Sequence, residues 1–137
     1  MDEYKGGKNN EGLPQGFGTN ISKTSDGKIN SIEEGKWEKG YLVEGSHTIY
    51  FHNNDRKYLI KKEIGKWRYD KERNFCEEDL SGEGEELYYK DENDLKNNKP
   101  LGYIKGIFDN GTLLKGEVDN AFKINYSDHS FVKKIII

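Results

Sequence analysis

The sequence predicts an all-β fold: an elongated, single-layer antiparallel meander of stacked hairpins. Three observations carry this. First, a glycine–aromatic cadence occurs twice, as Gly35-Lys36-Trp37-Glu38-Lys39-Gly40 running on to Gly45 and as Gly106-Ile107-Phe108-Asp109-Asn110-Gly111 running on to Gly116. Both read G-x-[W/F]-x-x-G-x-x-x-x-G, and repetition at fixed offsets is the mark of stacked supersecondary units. Second, only 32% of the 137 residues are apolar and 34% are charged, which suits one thin sheet better than a large central core. Third, no long window carries apolar residues at helical spacing, and glycine interrupts most windows. Sixteen Gly with nine Tyr, six Phe and two Trp instead suit short strands and tight turns.

By length the chain is one domain, residues 1–137. Along it, G-x-G pairs stand at Gly16-Phe17-Gly18 and Gly82-Glu83-Gly84, and a partial copy of the cadence opens at Gly65-Lys66-Trp67. Thr48-Ile49-Tyr50-Phe51 is a β-rich run, residues 52–56 read as a turn, and Lys57-Tyr58-Leu59-Ile60-Lys61 reads as the returning strand. Leu87-Tyr88-Tyr89 is a further strand. Residues 103–108 and 113–118 flank Asp109-Asn110-Gly111, where Asn-Gly is a strong tight-turn pair. Residues 119–137 are expected to form a closing hairpin, with its tip at Ser127-Asp128-His129 and the apolar run 131–137 as a final strand. Residues 69–79, charged and without glycine, and residues 90–100, dominated by Asp, Asn and Lys, are expected to be loops inserted between strands.

Side chains alternate faces along a strand, so Gly35 and Trp37 share a face and Lys36 points the other way. Glycine beside a large aromatic leaves room for a ring from the neighbouring strand. Each buried aromatic then contributes on the order of 1.5–3 kcal/mol. Glycine weakens a strand through chain entropy, so its recurrence at fixed offsets indicates a steric need.

Composition and motifs exclude several function classes. The net charge is −3 with both signs interleaved, and no basic stripe exists to neutralise phosphates, so nucleic acid is not an expected partner. The single cysteine, Cys76, supports neither an internal disulfide nor a thiolate metal site. The start, Met1-Asp2-Glu3-Tyr4, lacks the basic and apolar regions of a secretory signal, and no apolar run approaches membrane-spanning length. His47, His52 and His129 sit in no nucleophile or metal spacing and are expected at the surface. The carboxylates are expected in loops, with no apolar setting to perturb them. No catalytic, cofactor-binding or metal-binding residue is therefore assigned, no small-molecule substrate is implied, and the chain is expected not to be an enzyme.

The cadence resembles the MORN repeat, whose unit is approximately Y-x-G-x-[W/F]-x-x-G-x-x-x-G-x-G. Gly12 and Gly16-Phe17-Gly18 look like the second half of one unit, with Tyr4 and Gly6 at its start. Gly35, Trp37 and Gly40 match the next, Gly65 and Trp67 open a third that Gly82 and Gly84 close, and Gly106, Phe108 and Gly111 open a fourth. The units fall at about 4–30, 31–62, 63–101 and 102–118. Two departures stand out. The tyrosine expected two positions before the first glycine is Glu33, Glu63 or Ile104, and the closing glycines Gly45 and Gly116 come one residue late.

The resemblance implies a non-enzymatic scaffold or protein–protein interaction module in a larger assembly, cytoplasmic or on cytoskeletal or ciliary structures. Its groove would seat a partner's helix or extended peptide. Trp37, Trp67, Tyr103 and Phe108 are the residues expected on the aromatic ladder, either packing between units alone or also touching a partner. Two alternatives stay open. One is a peripheral phospholipid-binding module, which the mixed charge does not favour. The other is a small immunity- or antitoxin-like binding protein of a bacterium or phage.

Overall fold

A computed structural model describes residues 2–52 and 58–119. Its strands are β1 (Asp2–Lys8), β2 (Pro14–Lys23), β3 (Ile29–Glu38), β4 (Tyr41–Tyr50), β5 (Ile60–Asp70), β6 (Phe75–Leu80), β7 (Gly82–Tyr89), β8 (Gly102–Asp109) and β9 (Thr112–Asp119). They form one antiparallel sheet in the order β1-β2-β3-β4-β5-β7-β8-β9, with β6 paired to β5 off this path. The predicted all-β, single-layer meander is the observed fold. The two strands expected around residues 48–61 pair as β4 and β5, with Tyr50 opposite Ile60, and the turn expected at 52–56 lies almost wholly outside the described residues. The closing hairpin expected at 119–137 lies almost wholly outside the described residues, which end with β9 at Asp119.

The two copies of the cadence fold alike. Lys39 and Gly40 have φ of 44° and 95°, and Asn110 and Gly111 have 44° and 87°. Positive φ at both central residues is what a two-residue type I′ hairpin turn requires. Each hairpin then carries one bulge: Trp37 faces Leu42 while Lys36 faces Glu44, and Phe108 faces Leu113 while Ile107 faces Lys115. The extra residues are Val43 and Leu114. They explain why Gly45 and Gly116 come one position late, since a bulge adds one residue to one strand. The tips are also tied down alike. Gly40 N donates to the Pro14 carbonyl (2.9 Å) and Gly111 N to the Leu80 carbonyl (2.8 Å). Lys39 N donates to Gln15 Oε1 and Asn110 N to Ser81 Oγ, each at 3.0 Å.

A row of glycines crosses the whole path. Gly6 pairs with Gly18, Gly18 with Gly35, Gly35 with Gly45 and Gly45 with Gly65. Beyond Gly65 the row continues through Gly84 to Gly106 and Gly116. The steric need is of two kinds. At Gly18 a Cβ would lie 2.7 Å from Tyr4 Cε1, so the Tyr4 ring occupies the place of a side chain. That ring meets Trp37 edge-on at 5.3 Å, and the Trp37 indole N–H donates to the Gly18 carbonyl (3.0 Å). At Gly35, where φ is 149°, a Cβ would lie 2.7 Å from Gly45 Cα, so the neighbouring backbone itself excludes a side chain.

Alternation divides the core between the two faces. The front face carries Trp37, Leu42, Trp67, Tyr88, Ile104, Phe108 and Leu113 in one cluster. The back face carries Ile60, Leu87 and Tyr89, packed with Tyr50, Leu95 and Tyr103.

Two expectations need correcting. Residues 69–79 are not a loop: β5 runs to Asp70, a short turn reverses the chain, and β6 returns with Tyr69 opposite Cys76. This hairpin packs against the front face, where Tyr41 and Tyr69 rings lie 6.2 Å apart and Cys76 Sγ lies 3.7 Å from the Leu42 carbonyl. Residues 90–100 contain a short helix, α1 (Glu92–Lys96). Asp91 caps it by accepting from Asp94 N at 2.9 Å, and Leu95 joins the back cluster. Burial together with Glu92 pushes the Tyr50 hydroxyl up to about 12.

Candidate functional site

Two concave features flank the glycine row, one on each face. On the back face a groove of about 640 Å³ has Gly6, Gly18, Gly35 and Gly45 in its floor, with Phe17, Thr19, Glu34, Ser46 and Ile64 along its walls. Its floor along this row is backbone, because side chains at these positions belong to the opposite, front face that Gly35 shares with Trp37. Phe17, between Gly16 and Gly18, is 79% exposed. That is a large aromatic surface left in water beside a groove.

On the front face a cleft of about 600 Å³ runs between the sheet and β6. Its sheet side is a cross-strand row in which Glu33 faces His47 and His47 faces Glu63, with Glu63 then facing Glu86. Its roof is Phe75, Glu77, Glu78 and Asp79 of β6, and Trp67 and Leu42 close the lower end. Glu63 and Glu86 are 4% and 1% exposed, so the expectation that carboxylates sit in loops without an apolar setting does not hold for these two. Each is held in a strand by backbone pairing and faces a basic side chain. Lys61 Nζ lies 3.0 Å from Glu86 Oε2, and His47 Nδ1 lies 3.6 Å from Glu63 Oε1. Burial works against the Lys61 ammonium, but Glu86 and Glu63 outweigh it and hold its pKa above the usual lysine value. The Tyr88 ring centroid lies 5.9 Å from the same ammonium.

Of the four residues expected on the ladder, Trp37, Trp67 and Phe108 are buried at 4%, 6% and 2% and share the front cluster. Their contacts are with the chain's own side chains. Tyr103 is not on that ladder. It packs on the back cluster, with Lys105 Nζ 4.5 Å above its ring. Strand parity explains this: Ile104, two positions from Gly106, shares the glycine's face, and Tyr103 takes the other. The acidic row was missed by sequence reasoning, although a signal existed. Glu33 and Glu63 stand where the repeat pattern has tyrosine, and the same register puts them in one line across β3, β4 and β5. His47 is half-buried in this row, not at the open surface expected for it. His52, exposed, lies 3.0 Å from the Ile29 carbonyl, and His129 falls outside the described residues.

Among the described residues, no group of three or more His, Cys, Asp and Glu side chains is arranged to hold a metal ion. No described helix is long and apolar enough to cross a membrane. Cys76 lines the front cleft but is buried at 7% exposure, and desolvation followed by Glu77 raises its thiol pKa. A protonated, enclosed thiol is a poor nucleophile. Cys76 is therefore expected to react with a thiol reagent at neutral pH far more slowly in the native chain than in the chain unfolded in urea. Equal rates in a timed labelling assay would contradict its burial.

Compared with family models, curated proteins and solved structures, the chain gives no match.

Proposed function

We propose that this chain is a non-enzymatic docking module of the MORN-like kind, which seats a segment of a partner protein within a larger assembly. The observation that carries this reading is the back-face groove floored by glycine backbone, with the exposed Phe17 ring beside it. A single-layer sheet cannot cover both of its faces, and a bare backbone floor lets an extended peptide or a helix approach closely. The like closure of the two hairpins, turn for turn and bulge for bulge, supports the repeat resemblance. Cytoskeletal or ciliary structures in the cytoplasm are the proposed setting.

The test is affinity purification of the tagged chain from its native cells at low and at high salt, beside a Phe17→Glu variant. The wild-type chain is expected to bring down a stoichiometric partner, and the variant to lose it. Because Phe17 is exposed, the variant's stability is expected to change by no more than about 0.5 kcal/mol in urea unfolding. A lone monomer under both salt conditions would overturn the reading.

A further inference from the structure

We propose that the outer edge of β1 is a self-pairing surface, which joins two copies of this chain as an antiparallel dimer centred on Tyr4. Three observations carry the inference.

The first is an open edge. β1 stands at one end of the sheet, bonded to β2 on one side and, among the described residues, to no strand on the other. Every residue of Asp2–Lys8 is exposed except Tyr4, which is partly buried. A strand in this state presents unpaired backbone N–H and C=O groups to any strand that fits. The front of the edge is clear of bulk as well. The Tyr4 ring leans away from it, over Gly18 of β2 and edge-on to Trp37.

The second is the order of charges. β1 begins with Asp2 and Glu3 and carries Lys5 and Lys8 after Tyr4. Lysine on an edge ordinarily deters strand addition. Here the strand itself holds the matching acids, because antiparallel pairing brings the start of one copy against the end of the other. With Tyr4 opposite Tyr4, Glu3 of each copy faces Lys5 of the other. Glu3 and Lys5 share a face, with Lys5 Nζ 3.6 Å from Glu3 Oε1 in the single chain. The charges then alternate around the seam: each has an opposite charge along its own strand and another across it.

The third is register. β1 pairs regularly with β2 from Asp2 to Gly6, and the register shift falls between Gly6 and Lys8. Tyr4 is the midpoint of that regular stretch, so the proposed seam uses all of it and stops short of the irregularity. The glycine row offers a competing alignment, Gly6 against Gly6, continuing the pairing of Gly6 with Gly18. That alignment would leave Lys5 and Lys8 of both copies at the seam with no acid opposite. Charge therefore selects the Tyr4-centred alignment. It also selects a second copy over an unrelated strand, which would have to carry the same charge order. Exposed ion pairs contribute little each, so backbone hydrogen bonds hold the seam and the charges set its register.

The twofold axis of such a dimer stands normal to the sheet at Tyr4. Both back faces then look the same way, and two grooves lie side by side on one continuous sheet. That consequence rests on the groove proposed above, and the dimer does not.

The experiment is sedimentation velocity of the purified, untagged full chain across a concentration series, with charge swaps at the seam. The wild-type chain is expected to pass from monomer to dimer as concentration rises. Glu3→Lys and Lys5→Glu each turn both attractive pairs across the seam into repulsive ones. Each is expected to weaken dimerisation about tenfold or more. An equimolar mixture of the two variants restores opposite charges at every one of these positions and is expected to dimerise as the wild type does. Lys36→Glu, at an exposed position on β3 away from the edge, is expected to leave dimerisation unchanged. Urea unfolding of each variant checks that the fold is retained. The proposal is overturned if the wild-type chain stays monomeric at every concentration, or if both single swaps dimerise as tightly as the wild type. It is also overturned if the mixture dimerises no better than its components, which would place the contact elsewhere. None of these readouts involves Phe17 or a captured partner, so failure here and failure of the groove reading are distinguishable.

Discussion

Gly35→Ala is expected to destabilise the fold by more than about 3 kcal/mol, the upper range for a single substitution. Gly35 has φ 149°, which side-chain-bearing residues rarely adopt, and its missing Cβ would press on the Glu44 carbonyl oxygen and lie 2.7 Å from Gly45 Cα. The obstacles are backbone atoms of the paired strand, so no rotamer change relieves them. Relief requires β3 and β4 to separate, and Trp37 is then lifted from Gly18 two residues away. Gly106→Ala should behave the same way, because its Cβ would also lie 2.7 Å from the facing glycine, Gly116. Gly27→Ala is the control. Its φ is 87°, but nothing lies within 4 Å of the added atom. It should cost only the left-handed backbone penalty, about 1–2 kcal/mol. Urea unfolding followed by tryptophan fluorescence separates the cases. If Gly35→Ala costs no more than Gly27→Ala, the glycine row is not held by sterics.

Lys61→Met is the second large effect. Its side chain is 14% exposed and that of Glu86 is 2% exposed, with Lys61 Nζ 3.0 Å from Glu86 Oε2. Removing the cation leaves a carboxylate inside the front cluster without that ammonium, and breaking a buried pair in this way costs about 3–5 kcal/mol. Replacing both residues, Lys61→Met with Glu86→Leu, should recover most of the loss. Two apolar groups of similar size need no mutual neutralisation there. The pH dependence has a definite sign. The folded pKa of Lys61 is raised above the ordinary lysine value of 10.5, so its contribution is fully present below that value. It is lost as pH rises through the folded pKa. Wild-type stability should therefore fall on the alkaline side above pH 10.5, and the double replacement should flatten that part of the curve. Unfolding midpoints measured from about pH 9 to about pH 12 decide it. An identical alkaline slope in both chains would rule out Lys61 as its source.

Particular residues show what could be read in advance. The turn at Asn110-Gly111 was legible because both residues tolerate positive φ. Lys39-Gly40 adopts the same turn although lysine is not a turn former, and no turn was read there from the sequence. Trp37, Trp67 and Phe108 were legible as ladder residues from parity with the glycines. The same parity excludes Tyr103, since it neighbours Ile104. The hairpin of β5 and β6 was not legible. Phe75-Cys76-Glu77-Glu78-Asp79-Leu80 has no clean alternation, and its strand form rests on pairing with β5 and contact with Leu42 and Tyr41. The acidic row was legible only in part: Glu33 and Glu63 share one repeat position, but His47 and Glu86 do not, and the register of four strands aligns all four.

The sequence by itself determined the meander, the turns and the glycine row, because each depends on local backbone freedom and on the two-residue alternation of a strand. Tertiary structure alone decided which carboxylates are buried, where β6 lies, and that one face holds a glycine-floored groove while the other holds an acidic cleft. Those outcomes depend on the register between distant strands and on a hairpin packing over the sheet. Such contacts are set by summed packing and charge compensation across the fold and leave no periodic trace in the chain.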